Sequence, residues 1–176
     1  MEKKYILTDD VIDFNSHTLH RIKAVRDFDC VKAGDLGGFI ESEKNLDHDG
    51  DAWVTDSARV TGDAWVTGAA VVSGAARVSG DAVVTGDAWV TGDAWVTGVA
   101  RIFGDADFAV ISGFGRVFRT TTFFRCKDNL VRCQCGCFYG TVDEFRSKVR
   151  ETHGSSKYAK EYLMIADLME LHFKED

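Results

Sequence analysis

A six-residue unit repeats without interruption from Gly50 to Ala109, and it constrains the fold more than any other feature of the sequence. The unit reads Gly-Asp-Ala-x-Val-Thr, with an alanine at every sixth position from Ala52 to Ala106. Two residues after each alanine comes a valine, which isoleucine and phenylalanine replace in the last two units. Helical spacing cannot produce an exact period of six, whereas a short strand with a turn at each end can. The repeat therefore predicts a solenoid of short β-strands.

Each unit also predicts which side chains point inward. The triplet Ala-x-Val should alternate inward, outward and inward, as residues of a strand do. The Thr-Gly-Asp that follows is turn chemistry, because glycine tolerates a positive φ and Asp and Thr bond neighbouring backbone groups. Three units would close a triangular coil of 18 residues, and the next coil would stack roughly 4.8 Å above it.

Outward residues 18 positions apart should therefore stack on one of three faces. Face 1 carries Trp53, Val71 and Trp89, face 2 carries Arg59, Arg77 and Trp95, and face 3 carries Trp65, Val83 and Arg101. Tryptophan and arginine are over-represented at binding hot spots, so these outward side chains are candidate partner-binding residues. The alternative is that they only cover a flat sheet and improve its cross-strand packing. The candidate set also includes four turn carboxylates: Asp63, Asp81, Asp87 and Asp93.

A solenoid exposes strand edges at both ends, so we expect caps on either side of the repeat. The predicted domains are an N-terminal β cap at 1–49, the β-helix at 50–119 and a C-terminal capping module at 120–176. In the first cap, residues 5–9, 11–14 and 19–25 alternate like short strands around a turn at Asn15 and Ser16. Ile40 and Leu46 extend the alanine positions backwards in steps of six.

The C-terminal module has a different, aperiodic sequence. Residues 120–126 and 130–135 predict a β-hairpin, and Thr141 with Glu144 has the spacing of a capping box that opens a helix ending near Arg150. A second helix is predicted over 157–173, with an apolar stripe that indicates a core. Phe108, Phe114 and Phe118 read as an apolar plug above the last coil. The fold class is mainly β, with a small ββαα module.

Four cysteines lie close together in the module. Cys126, Cys133, Cys135 and Cys137 have the ligand count of a structural zinc site, but the spacing C-x6-C-x-C-x-C differs from the C-x2-4-C of zinc knuckles. Buried thiols are the interpretation that we favour, and zinc is kept as the alternative.

No residue of the chain has the setting that catalysis needs. All five histidines, His17, His20, His48, His153 and His172, lie in the caps, and the repeat has no inserted loop that could form a cleft. We therefore expect a protein that is not an enzyme and that needs no cofactor.

Charge and hydropathy restrict the partners. The repeat region carries eight acidic and three basic side chains in a chain of net charge −7, so direct binding of nucleic acid is not expected. The sequence has no apolar run of the length that a membrane helix needs, and no signal-peptide pattern at its start. With an odd number of cysteines, five, these features favour the cytoplasm.

The repeat resembles the hexapeptide-repeat, left-handed β-helix family, since an aliphatic residue is followed four positions later by a small one, as from Val54 to Ala58. That resemblance implies a left-handed coil, and the enzymes of that family are mostly acyl- and nucleotidyl-sugar transferases. The whole chain resembles a mostly uncharacterised group of hexapeptide-repeat accessory proteins encoded by phages and prophages. The segments that carry this likeness are residues 32–42, the repeat itself, and residues 135–141 with Glu144 and Phe145.

The phage setting that this likeness implies leads to a functional hypothesis. We expect a non-enzymatic protein of the bacterial cytoplasm that sequesters or inhibits a host protein, such as a component of antiviral defence. A small nucleotide ligand is a further candidate partner, and a homo-oligomer of two or three chains is open. The alternatives are a self-associating structural scaffold and, third, a transferase of the hexapeptide-repeat class.

Overall fold

The computed structural model describes residues 2–174 and confirms a mainly β protein built around a triangular solenoid. Nine strands of two residues each form three turns, with one strand per face in each turn. They are β4 Trp53–Val54, β5 Arg59–Val60, β6 Trp65–Val66, β7 Val71–Val72, β8 Arg77–Val78, β9 Val83–Val84, β10 Trp89–Val90, β11 Trp95–Val96 and β12 Arg101–Ile102.

The turns are joined by parallel ladders, and the hydrogen bonds at both ends of each two-residue strand point the same way. The N–H of Trp53 donates to the carbonyl of Ala70, and the N–H of Thr55 donates to that of Val72, both at 2.9 Å. At these positions each turn gives its amide hydrogens to the carbonyls of the turn that follows. The first turn is therefore left with more free carbonyls and the last with more free amides, so the two caps must supply different partners.

Inward side chains fill the solenoid completely. The repeat alanines from Ala52 to Ala100 and the valines from Val54 to Val96 are fully buried, together with Ile102. At the corners the backbone takes a positive φ, which glycine adopts without strain. Adjacent corners also stack closely, since a Cβ added at Gly68 would lie 3.0 Å from the nitrogen of Gly86. The period of six therefore comes from core packing and corner geometry together.

The N-terminal cap continues one face of the solenoid. It contains the antiparallel hairpin of β1 Tyr5–Phe14 and β2 His17–Ala24, joined at Asn15 and Ser16 as predicted. The next strand, β3 Leu36–Ile40, pairs antiparallel with β2 and parallel with β5. A single sheet of order β1-β2-β3-β5-β8-β11 results, so the cap and face 2 share one hydrogen-bonded surface.

The predicted positions of Ile40 and Leu46 within the six-residue unit are wrong by two residues. Ile40 pairs with Val60, and Leu46 bridges to Val66, so both occupy valine positions rather than alanine positions. The two additional residues are absorbed at one corner, residues 48–50, where the regular coil has a single residue. A pattern of apolar residues cannot reveal this insertion, because alanine and valine positions both point inward.

The C-terminal module contains a four-stranded antiparallel sheet and two helices. The strands, in sheet order, are β13 Phe108–Phe114, β14 Arg119–Arg125, β15 Val131–Cys135 and β16 Phe138–Thr141. The helices are α1 Val142–His153 and α2 Lys157–His172. The predicted capping box is present, since the Thr141 hydroxyl accepts from the N–H of Glu144, whose carboxylate accepts from the N–H of Thr141. The sequence predicted both helices and the β14–β15 hairpin, but neither outer strand.

The regular coil ends at Ile102, earlier than the boundary at residue 119 that the repeat suggested. Gly104 has an extended backbone with a φ of −166°, and a short 3-10 helix, Asp105–Asp107, replaces the tenth corner. Phe108 starts β13 and packs against the solenoid core, but Phe114 and Phe118 are exposed, so the predicted three-residue plug is wrong. The tenth unit therefore has the residue pattern of the repeat but does not form the corner and strand of a further coil.

Candidate functional site

The three predicted faces are present with the predicted register. Val71 lies between Trp53 and Trp89 in the ladder of face 1. Arg77 lies between Arg59 and Trp95 on face 2, and Val83 lies between Trp65 and Arg101 on face 3. An exact period and three strands per turn are sufficient to fix these neighbours, which is why the sequence alone identified them.

Trp53 is the one candidate tryptophan that cannot contact a partner. It points outward from β4 as predicted, but the N-terminal cap covers it and only 5% of it is exposed. Its ring packs edge-on against Phe28, at 5.3 Å between centroids, and against Tyr5, at 6.3 Å. The predicted binding role of Trp53 is thus replaced by a structural one, in which it anchors the cap.

Two other outward tryptophans, one on face 1 and one on face 3, remain uncovered. Trp89, on the same ladder as Trp53, is 59% exposed, and Trp65 on face 3 is 43% exposed. The indole N–H of Trp89 donates to the Ser73 hydroxyl at 3.1 Å, which orients the ring along the sheet. We call the surface formed by Trp65, Val71, Val83 and Trp89 the tryptophan surface.

The candidate aspartates do not form one column. All four are exposed, but Asp63 and Asp81 share the corner between faces 2 and 3, Asp87 lies between faces 3 and 1, and Asp93 lies between faces 1 and 2. Asp63 pairs with Lys44 at 2.7 Å, and that contact lowers the pKa of its carboxyl. The four carboxylates therefore lie at three different corners of the solenoid.

Face 2 is different because the β1–β2 hairpin folds over it. The guanidinium of Arg59 lies 4.8 Å from the ring centre of Phe14, and that of Arg77 lies 5.4 Å from Phe14 and 5.5 Å from Trp95. These arginines and rings line a cavity of about 180 Å³, which we call the arginine cleft. The sequence predicted the stacking of Arg59, Arg77 and Trp95, but gave no sign that the hairpin tip closes over them.

The four clustered cysteines do not converge. Cys126 packs in the core of the solenoid, whereas Cys133 packs between the C-terminal sheet and its helices, so these two thiols belong to different cores. Burial raises the pKa of both thiols, which keeps them protonated near neutral pH. Within residues 2–174 no group of three or more His, Cys, Asp or Glu side chains could hold a metal ion. The different positions of Cys126 and Cys133 favour separate thiols over one zinc site of four cysteines.

A second cavity lies in the C-terminal module, between the β15–β16 hairpin and the two helices. It has a volume of about 310 Å³ and an apolar floor that includes Phe138, Phe145 and Tyr162. Its cationic side chains are Arg116, Arg119 and Lys148, and no carboxylate lines it. Such a cavity is at the small end of the range for ligand pockets.

The histidines are all held in the caps by local contacts. His17 lies 3.1 Å from a carboxylate oxygen of Glu41, and the ring of His48 stacks on Tyr5 at 4.3 Å. His20 contacts the carbonyl of Thr8, and His153 stacks on Tyr162. None of these rings lies beside a serine or cysteine nucleophile in a contact that the described residues show.

Comparisons with known proteins give no family for this chain. No protein-family model matches the sequence, and no similar protein was found among the curated ones. None of the helices within residues 2–174 is long and apolar enough to cross a lipid bilayer.

Proposed function

We propose that this chain is a non-enzymatic binding protein that captures a host protein through its tryptophan surface. In the setting that the phage-type resemblance implies, the partner would be a factor of the bacterial cytoplasm, such as a component of antiviral defence, and capture would sequester or inhibit it. The proposal rests on one observation, which is the exposure of Trp65 and Trp89 beside the short side chains of Val83 and Val71.

The molecule itself provides a reference for what such a tryptophan can bind. Trp53 and Trp89 flank the same residue, Val71, on the same ladder. Trp53 is covered by two aromatic rings of the cap, whereas the corresponding space over Trp89 is open. Large exposed aromatic side chains are typical of interface hot spots, and an aromatic side chain of a partner could cover Trp89 as Phe28 covers Trp53.

The charges around the tryptophan surface indicate a basic partner. Asp81 and Asp87 lie at the two edges of face 3, and neither makes an ion pair with another residue of the described chain. Exposed carboxylates of this kind steer association and select against acidic partners more than they add affinity. A surface with lysine or arginine around an aromatic side chain would fit both features.

The test is native mass spectrometry of the protein purified from its bacterial host, with matched variants. Trp65→Val and Trp89→Val introduce the residue that already occupies the neighbouring rungs, so the ladder should be preserved. We expect a co-purified protein with the unaltered chain and its loss with Trp89→Val. Leu36→Ala, at an exposed position of the N-terminal cap, serves as the control. Equal recovery of the partner with all variants would refute the tryptophan surface as the binding site.

Self-association is the second candidate, because α2 has an exposed apolar stripe. Met164, Leu168 and Leu171 are 71%, 54% and 69% exposed and lie on one side of the helix, away from its core contacts. Two copies could bury this stripe against each other in a symmetric helix pair. Light scattering would then show a mass that rises with concentration, and Leu168→Glu would return it to that of one chain.

A transferase function has less support from the described residues. Hexapeptide-repeat transferases work with a histidine beside a cleft, whereas the coils here contain no histidine between Ala52 and Ala109. A thermal-shift screen with acyl-CoA and nucleotide-sugar compounds would test this class directly, because a ligand that binds only the native state raises the melting temperature.

A further inference from the structure

We propose that the arginine cleft on face 2 binds the phosphate group of a small phosphorylated molecule, a phosphomonoester. The cleft is lined by eight residues besides Val78: Phe14, Asn15, His17, Arg59, Thr61, Arg77, Ser79 and Trp95. It lies on a different face from the exposed Trp65 and Trp89, so it is a site beyond the proposed capture of a protein.

Arg59 and Arg77 place two positive charges in the cleft without a compensating carboxylate. Arg59 and Arg77 occupy adjacent rungs of one parallel ladder, which places their backbones roughly one strand spacing, about 4.8 Å, apart. Within the described chain, neither side chain makes an ion pair with a carboxylate. Two like charges at this spacing repel each other, so an anion between or above them would be bound favourably.

The guanidiniums of Arg59 and Arg77 also have N–H donors without a hydrogen-bond acceptor. The Nε atoms of Arg59 and Arg77 are both buried, and neither has a hydrogen-bond partner within residues 2–174. Buried donors in native proteins nearly always have a partner, so each such exception asks for an explanation. Arg101, in the equivalent position of face 3, instead donates to the carbonyl oxygens of Asp81 and Ala100.

The aromatic rings fix the guanidinium planes without using their N–H groups. Phe14 lies beside both arginines, and Trp95 lies beside Arg77 from the next rung. Stacking of this kind holds a planar fork of donors in place, and that fork matches the geometry of phosphate oxygens. The hydroxyl of Thr61, which also lines the cavity, adds a neutral donor, whereas that of Ser79 already donates to the Thr97 hydroxyl at 2.9 Å.

Size and nearby acids narrow the class of ligand. A cavity of about 180 Å³ accommodates a phosphate group, and an adjoining cavity of about 240 Å³, which shares Arg77 and Trp95, leaves room for the rest of a small molecule. Asp93 and Arg119 both line that second cavity, and the carboxylate of Asp93 offsets the charge of Arg119, so a monoester fits better than a polyphosphate. The carboxylate of Glu41, beside His17, already has two partners within the protein. It lies 3.1 Å from the ring of His17 and accepts from the N–H of Gly62 at 2.7 Å.

Calorimetric titration with inorganic phosphate and with phenyl phosphate, at low ionic strength, tests the site. We expect both probes to bind, and Arg59→Gln and Arg77→Gln each to weaken binding by about tenfold or more, since each removes charged donors. Two controls are matched to rival explanations. Arg101→Gln removes an outward arginine from face 3, and Lys148→Gln removes a cation from the C-terminal cavity. Both should change the affinity by less than about twofold, as for changes outside the site.

The carboxylate dianion succinate separates phosphate recognition from general anion binding. The proposal is overturned if the unaltered protein binds neither phosphate probe, if succinate binds as tightly as they do, or if a control variant loses as much affinity as Arg77→Gln. If a cleft variant does not fold, the Nε–H resonances of the unaltered protein give the answer. Phosphate should shift those of Arg59 and Arg77 and leave that of Arg101 in place, and the reverse pattern would contradict the site.

Discussion

The two ends of the solenoid differ in the hydrogen-bonding groups that they expose, and the two caps differ accordingly. The hydrogen bonds at both ends of each strand, and those at the corners, run from an N–H of one turn to a carbonyl of the next. At these positions the first turn presents acceptors and the last presents donors. A cap that suits one end would place like groups together at the other, so the direction of the ladder decides which side chains each cap needs.

The N-terminal end is closed by buried donors. The Lys4 ammonium donates to the carbonyls of Ala52 at 2.7 Å and Gly50 at 3.3 Å. The Asn45 side-chain amide donates to those of Ala64 at 2.8 Å and Gly62 at 3.0 Å. Both side chains are fully buried, and backbone amides of the cap, such as that of Phe39, satisfy the third face.

The C-terminal end is closed by acceptors. The N–H groups of the last turn have no following turn to bind, and they donate to side chains instead. That of Trp95 donates to the hydroxyl oxygen of Thr122 at 2.9 Å, and that of Trp89 donates to the carboxylate of Asp105 at 2.8 Å. Thr122 is buried in the sheet of the module, whereas Asp105 is exposed. Substitution of a cap residue should therefore lower the free energy of unfolding most where the residue is buried and a donor is replaced by an acceptor, or an acceptor by a donor.

Asn45→Asp should have the largest effect, because it replaces a donor by a carboxylate facing two carbonyl oxygens. We expect a loss of about 3–5 kcal/mol in the free energy of unfolding, the cost of a buried charge without a partner. Urea unfolding measures it. Asn129→Asp makes the same chemical change in an exposed turn with a φ of +61°, a conformation that both residues tolerate, and should be nearly neutral. Similar losses in the two variants would contradict the donor role of Asn45.

Lys4→Met should lower stability by about 1–2 kcal/mol at pH 7, because two carbonyls lose their donor. The pH dependence of the free energy of unfolding tests the burial of Lys4 more specifically. Burial lowers the pKa of Lys4 from 10.5 to about 8, so the native state binds fewer protons than the unfolded state between those values. Stability from this group consequently rises with pH above 8, by up to about 1.4 kcal/mol per pH unit.

Urea unfolding at pH 7, 8 and 9 tests that contribution. The difference between the unaltered protein and Lys4→Met should be constant up to about pH 8, where Lys4 is charged in both states, and should then widen. Using the difference removes the opposite contributions of Tyr5 and Cys133, whose pKa values are raised by burial and whose stabilisation falls at alkaline pH. Parallel profiles for the two proteins would show that Lys4 is not desolvated in the native state.

Much of the solenoid could be predicted from the sequence because a strict period propagates. Once Ala52 and Val54 are assigned inward, every later strand, its outward residue and its neighbours on the same face follow from multiples of six and 18. The same arithmetic separates Asp63 and Asp81, which are 18 residues apart, from Asp87. The period stops being informative at Gly104, where the backbone leaves the corner conformation although the residue types persist.

The remaining features depend on contacts between distant parts of the chain. Burial of Trp53 requires that Tyr5 and Phe28 fold over it, and closure of the arginine cleft requires the tip of the β1–β2 hairpin at Phe14. Neither contact has a local sequence signal. The role of Lys4 is equally hidden, since a lysine near a chain terminus is usually exposed. The candidate site was thus predicted residue by residue on the solenoid, but not where the caps cover or complete it.

Thr122→Val isolates the buried acceptor at the C-terminal end. Valine has nearly the shape of threonine, so the main change is the loss of the oxygen that accepts from the N–H of Trp95. We expect a loss of about 1–2 kcal/mol, the cost of one buried donor without a partner. Thr120→Val, in the same strand and less buried, should stay within about 0.5 kcal/mol. If the two substitutions are equally costly, the β-sheet itself, rather than the end of the solenoid, accounts for the loss.

Asp105→Ala should have the smallest effect of the series, although it removes an acceptor of the same kind. The carboxylate is exposed, so water can replace it at the N–H of Trp89, and we expect a loss of only about 0.5 kcal/mol. Faster amide hydrogen exchange at Trp89 should accompany it. Asp87→Ala, at the same corner one turn earlier, should leave that exchange rate unchanged. A loss as large as that of Thr122→Val would mean that the polarity of the ladder end, and not the burial of the cap residue, determines the energy of closure.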